Sequence, residues 1–195
     1  MRVKFGATSL RINISFAAVI TLMLILDESG MCAVALFCCI IHEAGHIICL
    51  LIFGEKPASV ELSFYGIKLE RREPSVLSQA EEITVFAAGP VMNLILSAVM
   101  FIAGIRTAAV ISLYIGMFNL IPCQPLDGGN ILSDILNYAV GEDKAEKTCF
   151  FVSCITLVPM VFIGIIMIFK NGNFTLAGVT AYLAWVSYIK AKERQ

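Results

Sequence analysis

The chain is short of charge. Only 15% of its 195 residues are Asp, Glu, Lys or Arg, against 58% hydrophobic residues, which excludes an ordinary soluble domain. Nor is there a basic excess: 14 Lys and Arg stand against 15 Asp and Glu, for a net charge of -1, so no positive face is available for nucleic acid. Histidine and tryptophan are scarce, with two and one respectively. No internal repeat, low-complexity tract or long linker is visible, and residues 1–195 read as a single membrane domain. The seven cysteines would suffice for a disulfide framework. Cys32, Cys38, Cys39, Cys49, Cys149 and Cys154, however, lie in or beside apolar runs, where cysteine behaves as a small hydrophobe.

What the chain has in quantity is apolar sequence, with a mean hydropathy of +0.85. Six apolar segments stand out, at residues 12–26, 31–53, 83–105, 108–121, 149–169 and 174–189. A transmembrane helix needs about 20 residues, so the second, third and fifth are long enough and the others are short or tilted. The N-terminal "MRVKFGATSLRINISFAAVITLMLIL" begins like a signal peptide, but no small-x-small site precedes Asp27 and Glu28, and it is expected to be a retained first span. With the N-terminus in the cytoplasm, Arg2, Lys4, Arg11, Lys56, Lys68, Arg71, Arg72, Lys144, Lys147, Lys190, Lys192 and Arg194 fall on the cytoplasmic side. Only Arg106 and Lys170 fall outside. That bias predicts a multi-pass integral membrane protein with both termini cytoplasmic.

Between the second and third segments, "VELSFYGIKLE" alternates apolar and polar residues about Tyr65-Gly66, the period of a strand or hairpin. Val60, Leu62, Phe64, Ile67 and Leu69 are expected against the membrane surface, with Glu61, Lys68 and Glu70 toward water. The expected fold class is an α-helical polytopic membrane protein with about six transmembrane helices and a short membrane-associated β-hairpin between helices 2 and 3.

The second segment carries the anomaly. "FCCIIHEAGHIICLLIF", residues 37–53, holds a glutamate and both histidines of the chain at its centre. Ionisable groups at membrane depth cost about 2.5–3.5 kcal/mol even on lenient insertion scales, so they mark function. His42-Glu43-Ala44-Gly45-His46 is H-E-x-x-H, and on a helix two histidines at that spacing share one face and reach one metal ion. Zinc takes imidazole nitrogen readily and in catalytic sites keeps one position for water. Glu43, next to His42, is placed to take a proton from that water as general base.

For a third ligand the residues leave several candidates. In "FNLIPCQPLDGGN", residues 118–130, Pro122 and Pro125 break a helix and Gly128-Gly129 permit a sharp turn. Asp127 is therefore expected on irregular backbone at the membrane edge, a placement tolerated where it lines a cavity. An Asp-Gly pair is equally a helix-terminating turn. Cys123 is a rival nearby, and Glu70 or Glu81 would serve a different zinc-protease arrangement. "FAAGPVMNLILS" puts Gly89-Pro90 at the start of the third span and Asn93 one turn in, where an asparagine also serves to hydrogen-bond a neighbouring helix.

Taken in order, H-E-x-G-H, G-P-x-x-N and N-x-x-P-x-x-P-L-D-G resemble the site-2 protease family (M50) of intramembrane zinc metalloproteases, over residues 41–129. The resemblance implies one Zn2+ per chain held by His42, His46 and Asp127, with Glu43 as catalytic base. Asn119 is implied to polarise the substrate carbonyl or stabilise the oxyanion, and Asn93 to support the site or bind substrate. It also implies hydrolysis of a peptide bond in or beside a membrane segment of a protein substrate, within the lipid bilayer, with an inhibitory membrane regulator as a further partner and no role for nucleic acid. An extended substrate strand is expected to add to the edge at residues 60–69. With no room for a PDZ domain and no CBS domain after Ile189, the chain is most similar to the branch containing stage IV sporulation protein FB, which implies a pro-sigma or anti-sigma factor as substrate. The lacking CBS domain and Leu50, where relatives carry a small residue, depart from that branch. A membrane metal transporter and a non-catalytic relative that binds membrane segments are the rival readings.

Overall fold

The computed structural model describes residues 2–5, 8–12, 14–55, 59–63, 66–70 and 77–193. Its helices are α1 (Ile14–Leu26), α2 (Met31–Ile52), α3 (Gln79–Ile102), α4 (Arg106–Asn119), α5 (Asp127–Val140), α6 (Glu142–Asn171) and α7 (Thr175–Glu193). Its strands are β1 (Arg2–Phe5), β2 (Thr8–Ile12), β3 (Ser59–Ser63) and β4 (Gly66–Glu70). Three helical stretches, Met31–Ile52, Gln79–Ile102 and Glu142–Lys170, are long and apolar enough to cross a membrane. Phe37, Ile48, Ile95, Val99 and Phe162 on these helices are exposed, and hydrocarbon is the solvent that suits them.

The expected fold class needs correction in two respects. Among the described residues there are seven helices, one more than the six apolar segments of the sequence. The added one is α5, "DGGNILSDILNYAV", whose apolar positions Ile131, Leu132, Ile135 and Leu136 recur at helical spacing between polar ones. An amphipathic helix of this kind leaves no continuous apolar run for a hydropathy reading to find. The second respect is the lone membrane-associated hairpin expected after the second span. Instead of standing alone, β3 and β4 are half of a four-stranded sheet of order β1-β2-β3-β4. β3 pairs antiparallel with β4 and parallel with β2, Ser9 opposite Ser59 and Ile12 opposite Leu62, and β2 pairs antiparallel with β1. The basic N-terminal stretch thus supplies strands, because ladder partners can lie far along the chain where local pattern gives no hint of them. Phe64 and Tyr65 of the expected turn, and Lys56, Arg71, Arg72 and Arg194 of the charge count, lie outside the described residues.

By contact the chain divides into two units, Met1–Gly116 and Met117–Gln195. In the first, α2 opens at Gly30 and is capped by Asp27, whose carboxylate bonds the Ser29 hydroxyl and accepts the Cys32 N–H at 2.6 Å. Those bonds hold the Asp27 carboxyl below the usual carboxylate range. The start of α3 is set by Ser78 and Glu81. One Glu81 carboxylate oxygen accepts both the backbone N–H and the hydroxyl of Ser78, each at 2.7 Å. This cap starts α3 several residues before the expected Ile83, so Gly89, Pro90 and Asn93 sit inside the helix instead of at its entry.

α2 and α3 pack closely because Gly45 lacks a side chain. A Cβ there would lie 2.7 Å from the Ala88 carbonyl oxygen and 2.7 Å from Met92 Cγ, so only a hydrogen permits the approach. α4 is fastened to α3 by two hydroxyls: Ser97 Oγ donates to the Ala109 carbonyl at 2.8 Å and Ser112 Oγ to that of Asn93 at 2.9 Å.

In the second unit, buried Cys123, Leu157 and Leu183 form a core with Phe118, Ile121 and Leu126 against it. The segment leading into α5 is tied down on both sides of Gln124. Its N–H donates to Ser153 Oγ at 3.2 Å, and its carbonyl accepts from Ser187 Oγ at 2.6 Å.

Replacing Gly45 by Val should force α2 and α3 apart, an overpacking cost of about 1–3 kcal/mol, seen as a lower Tm of the detergent-solubilised protein. Gly178→Ala, inside α7 where an added Cβ meets nothing within 4 Å, should not lower the Tm.

Candidate metal centre

Both histidines are buried on one face of α2, at 5% and 8% exposure. Their Nε2 atoms face each other at 3.2 Å, and the rings stand edge to face at an interplanar angle of 79°. Two imidazole nitrogens sharing one tetrahedral zinc at about 2.0–2.1 Å would be separated by about 3.3 Å. The spacing of this pair therefore suits a common ion without movement of either ring.

Two features of α3 make that convergence possible. His46 donates its Nδ1–H to the Val85 carbonyl at 2.7 Å, which fixes its tautomer and leaves the Nε2 lone pair directed at the centre. The second feature is Gly89. A Cβ on it would fall 2.3 Å from His46 Nε2 and 2.8 Å from His42 Nε2, so the missing side chain is the space the two ligand atoms occupy. On the same helix Asn93 Nδ2 lies 3.2 Å from His42 Nδ1.

The remaining residues expected at the site are placed as follows. Glu43 is half-buried on α2 beside His42. Asn119 is the last residue of α4, and half-buried. Asp127 is half-buried and is the first residue of α5. It therefore stands at a helix N-terminus, not on the irregular backbone expected for it. The glycines after it are helical and act by small size instead of by unusual φ. A Cβ on Gly128 would lie 2.2 Å from the Leu120 carbonyl oxygen, and one on Gly129 would lie 2.5 Å from the Cys123 carbonyl carbon. They let the first turn of α5 rest directly on the preceding backbone.

His42 and His46 lie in the first unit and Asp127, the third ligand expected from the sequence, lies in the second. Cys123, the rival ligand, is fully buried in the apolar core with Leu157 and Leu183, and Glu81 is engaged in the cap of α3. The sequence reading did not find the roles of Val85, Gly45 and Gly89. The glycines at Gly45 and Gly89 were a usable signal, since small residues mark close helix crossings, whereas a backbone carbonyl leaves no mark in residue identity.

Known proteins share sequence and fold with this chain. The sequence model of Peptidase family M50 matches residues 103–163. A protein of Synechocystis sp. is 32% identical over 125 residues, which is 57% of this chain and 33% of that protein. A zinc metalloprotease of Methanocaldococcus jannaschii is 29% identical over 121 residues, 55% of this chain and 34% of its own length. The chain thus spans about a third of the length of these curated relatives. The structure of the site-2 protease from Methanocaldococcus jannaschii matches with a TM-score of 0.71 at 23% identity, covering 98% of this chain and 94% of that one. The polytopic helical fold is shared with it.

Replacing Gly89 by Ala should push the two imidazoles off a common centre. Chelator competition on the purified chain should show metal affinity reduced at least 10-fold, with helix content by circular dichroism retained.

Proposed function

We infer that this chain, a relative of the family M50 peptidases, is an intramembrane zinc metalloendopeptidase acting on a membrane-associated protein. The observation that carries this reading is the 3.2 Å convergence of His42 and His46 Nε2 on a helix apolar enough to cross a bilayer. His42 and His46, with Asp127 as third ligand, would hold one zinc. When bound, the metal supplies the Lewis acidity that polarises a peptide carbonyl and makes water nucleophilic near neutral pH.

The rest is done by the chain. Glu43 lies next to His42 on α2, and as general base it takes a proton as the water oxygen bonds to the carbonyl carbon. It returns that proton to the nitrogen as the C–N bond breaks, leaving a carboxyl and an amine terminus. Asn119, at the end of α4, is assigned to hydrogen-bond the carbonyl oxygen as negative charge develops on it. The substrate segment must be locally extended at the scissile bond, since helical backbone is hydrogen-bonded to itself. A residue pair as costly to bury as His42 and Glu43 is sustained here by partners within the protein, and water must reach the site from one membrane face.

We further assign a multi-pass topology with both termini cytoplasmic, on the strength of the Lys and Arg distribution, and a bacterial cytoplasmic membrane on the resemblance to the sporulation branch. The two units are taken to act as one protease domain. A membrane-bound pro-sigma factor or a single-span anti-sigma factor is the substrate suggested by the resemblance to the sporulation branch, and a small membrane protein is suggested as its inhibitor.

The purified chain should carry about one zinc. Glu43→Gln should retain it while kcat on a membrane-segment substrate falls about 10²–10⁴-fold. Full activity in this variant would remove Glu43 as the base.

A further inference from the structure

This inference rests on the reading of Asp127 as third zinc ligand and concerns what decides where that residue stands. Asp127 opens α5, and residues 122–126 before it lie outside any helix or strand. Pro122 and Pro125 have no N–H to give. Within the stretch, the Cys123 N–H donates to the Ile121 carbonyl at 2.7 Å and the Leu126 N–H to the Cys123 carbonyl at 2.9 Å. Buried backbone polar groups need partners, and at Gln124 two helices from later in the chain supply them.

The grip is the same on each helix. On α6, Ser153 Oγ accepts the Gln124 N–H at 3.2 Å, and Leu157, one turn on, packs with Cys123. On α7, Ser187 Oγ donates to the Gln124 carbonyl at 2.6 Å, and Leu183, one turn earlier, packs with Cys123. Both serines are buried. A hydroxyl on a helix commonly bonds its own backbone, and Thr148, Thr156 and Thr180 on these two helices do so, donating to the carbonyls of Lys144, Val152 and Leu176. Ser153 and Ser187 reach another segment instead. The peptide group they hold is also the seat of α5. A Cβ on Gly129 would lie 2.5 Å from the Cys123 carbonyl carbon and 2.6 Å from Gln124 N, so the first turn of α5 rests on the group whose N–H Ser153 takes.

We propose that Ser153 and Ser187 are positioning residues for the metal centre: they fix the Cys123–Gln124 peptide so that α5 begins, and presents Asp127, in one place. α6 and α7 thereby set the third ligand without contributing an atom to the metal shell. A ligand held loosely must be ordered when the metal binds, and that cost is subtracted from the affinity.

Chelator competition with zinc on the full-length purified chain tests the idea. Ser187→Ala should weaken zinc binding about 3–10-fold, and Ser153→Ala by a similar factor, with helix content by circular dichroism retained in both. Thr180→Ala, which removes a buried hydroxyl of α7 that is bonded within its own helix, should leave zinc affinity unchanged. The deciding arm is a double-variant cycle. In the Asp127→Ala background, where the ligand itself is gone, Ser187→Ala should cost no further zinc affinity while lowering the Tm as much as it does in the unaltered chain.

An affinity loss of equal size in both backgrounds, or the same loss in Thr180→Ala, would mean a general structural role and overturn the proposal. Undiminished zinc affinity in both serine variants would do the same. Should Ser187→Ala fail to fold, Ser153→Ala carries the same cycle. Undiminished zinc affinity in Asp127→Ala, or an unaltered chain that binds no zinc, would instead remove the parent reading and the proposal with it.

Discussion

How near α2 can come to α3 decides whether this site exists. Two hydrogens stand where side chains would be, at Gly45 and Gly89, and each removes a steric obstacle measured in ångströms: 2.7 Å to the Ala88 carbonyl in one case, 2.3 Å to His46 Nε2 in the other. With the helices at that separation, His46 reaches the Val85 carbonyl and His42 reaches Asn93. Each ring then has one nitrogen anchored to α3 and one turned toward its partner. Small residues at the crossing therefore do more than allow packing. They convert two adjacent turns of one helix into a pair of oriented imidazoles.

The same contacts explain how such groups are tolerated in an apolar helix. A buried imidazole without partners would be costly, yet the polar atoms of both rings are met by groups on α3 or by each other. Around them, α2 presents Phe37, Ile40, Ile48, Leu51 and Ile52 outward, so the helix is apolar to its surroundings and polar only on the face that meets α3. In the second unit, Gly128 and Gly129 apply the same device, seating α5 on the backbone of residues 120–123 and putting Asp127 at the head of a helix.

Much of this was legible in the residues. The apolar runs at 31–53 and 83–105 correspond to α2 and α3, and the spacing of H-E-x-G-H put both histidines on one helical face. What the sequence hid has physical reasons. α5 is amphipathic, so a search for continuous hydrophobicity passes over it. β2 pairs with β3 some fifty positions downstream, and such pairing is not written in local pattern. Gly128-Gly129 read as a turn because glycine permits unusual φ, but here glycine is needed for its lack of volume, and composition alone does not distinguish the two uses. Ser78 and Glu81 carried a readable capping signal, and with it the start of α3 and the mid-helix position of Asn93 follow.

The central claim is that two imidazoles from α2 and a carboxylate hold one zinc. X-ray absorption at the zinc edge on the purified, unaltered chain addresses it most directly. The account predicts about one zinc per chain with a nitrogen and oxygen shell at about 2.0–2.1 Å, an imidazole outer-shell pattern, and no sulfur scatterer. A sulfur shell at about 2.3 Å, which would bring one of the seven cysteines into the site, or a chain that retains no metal, would contradict it.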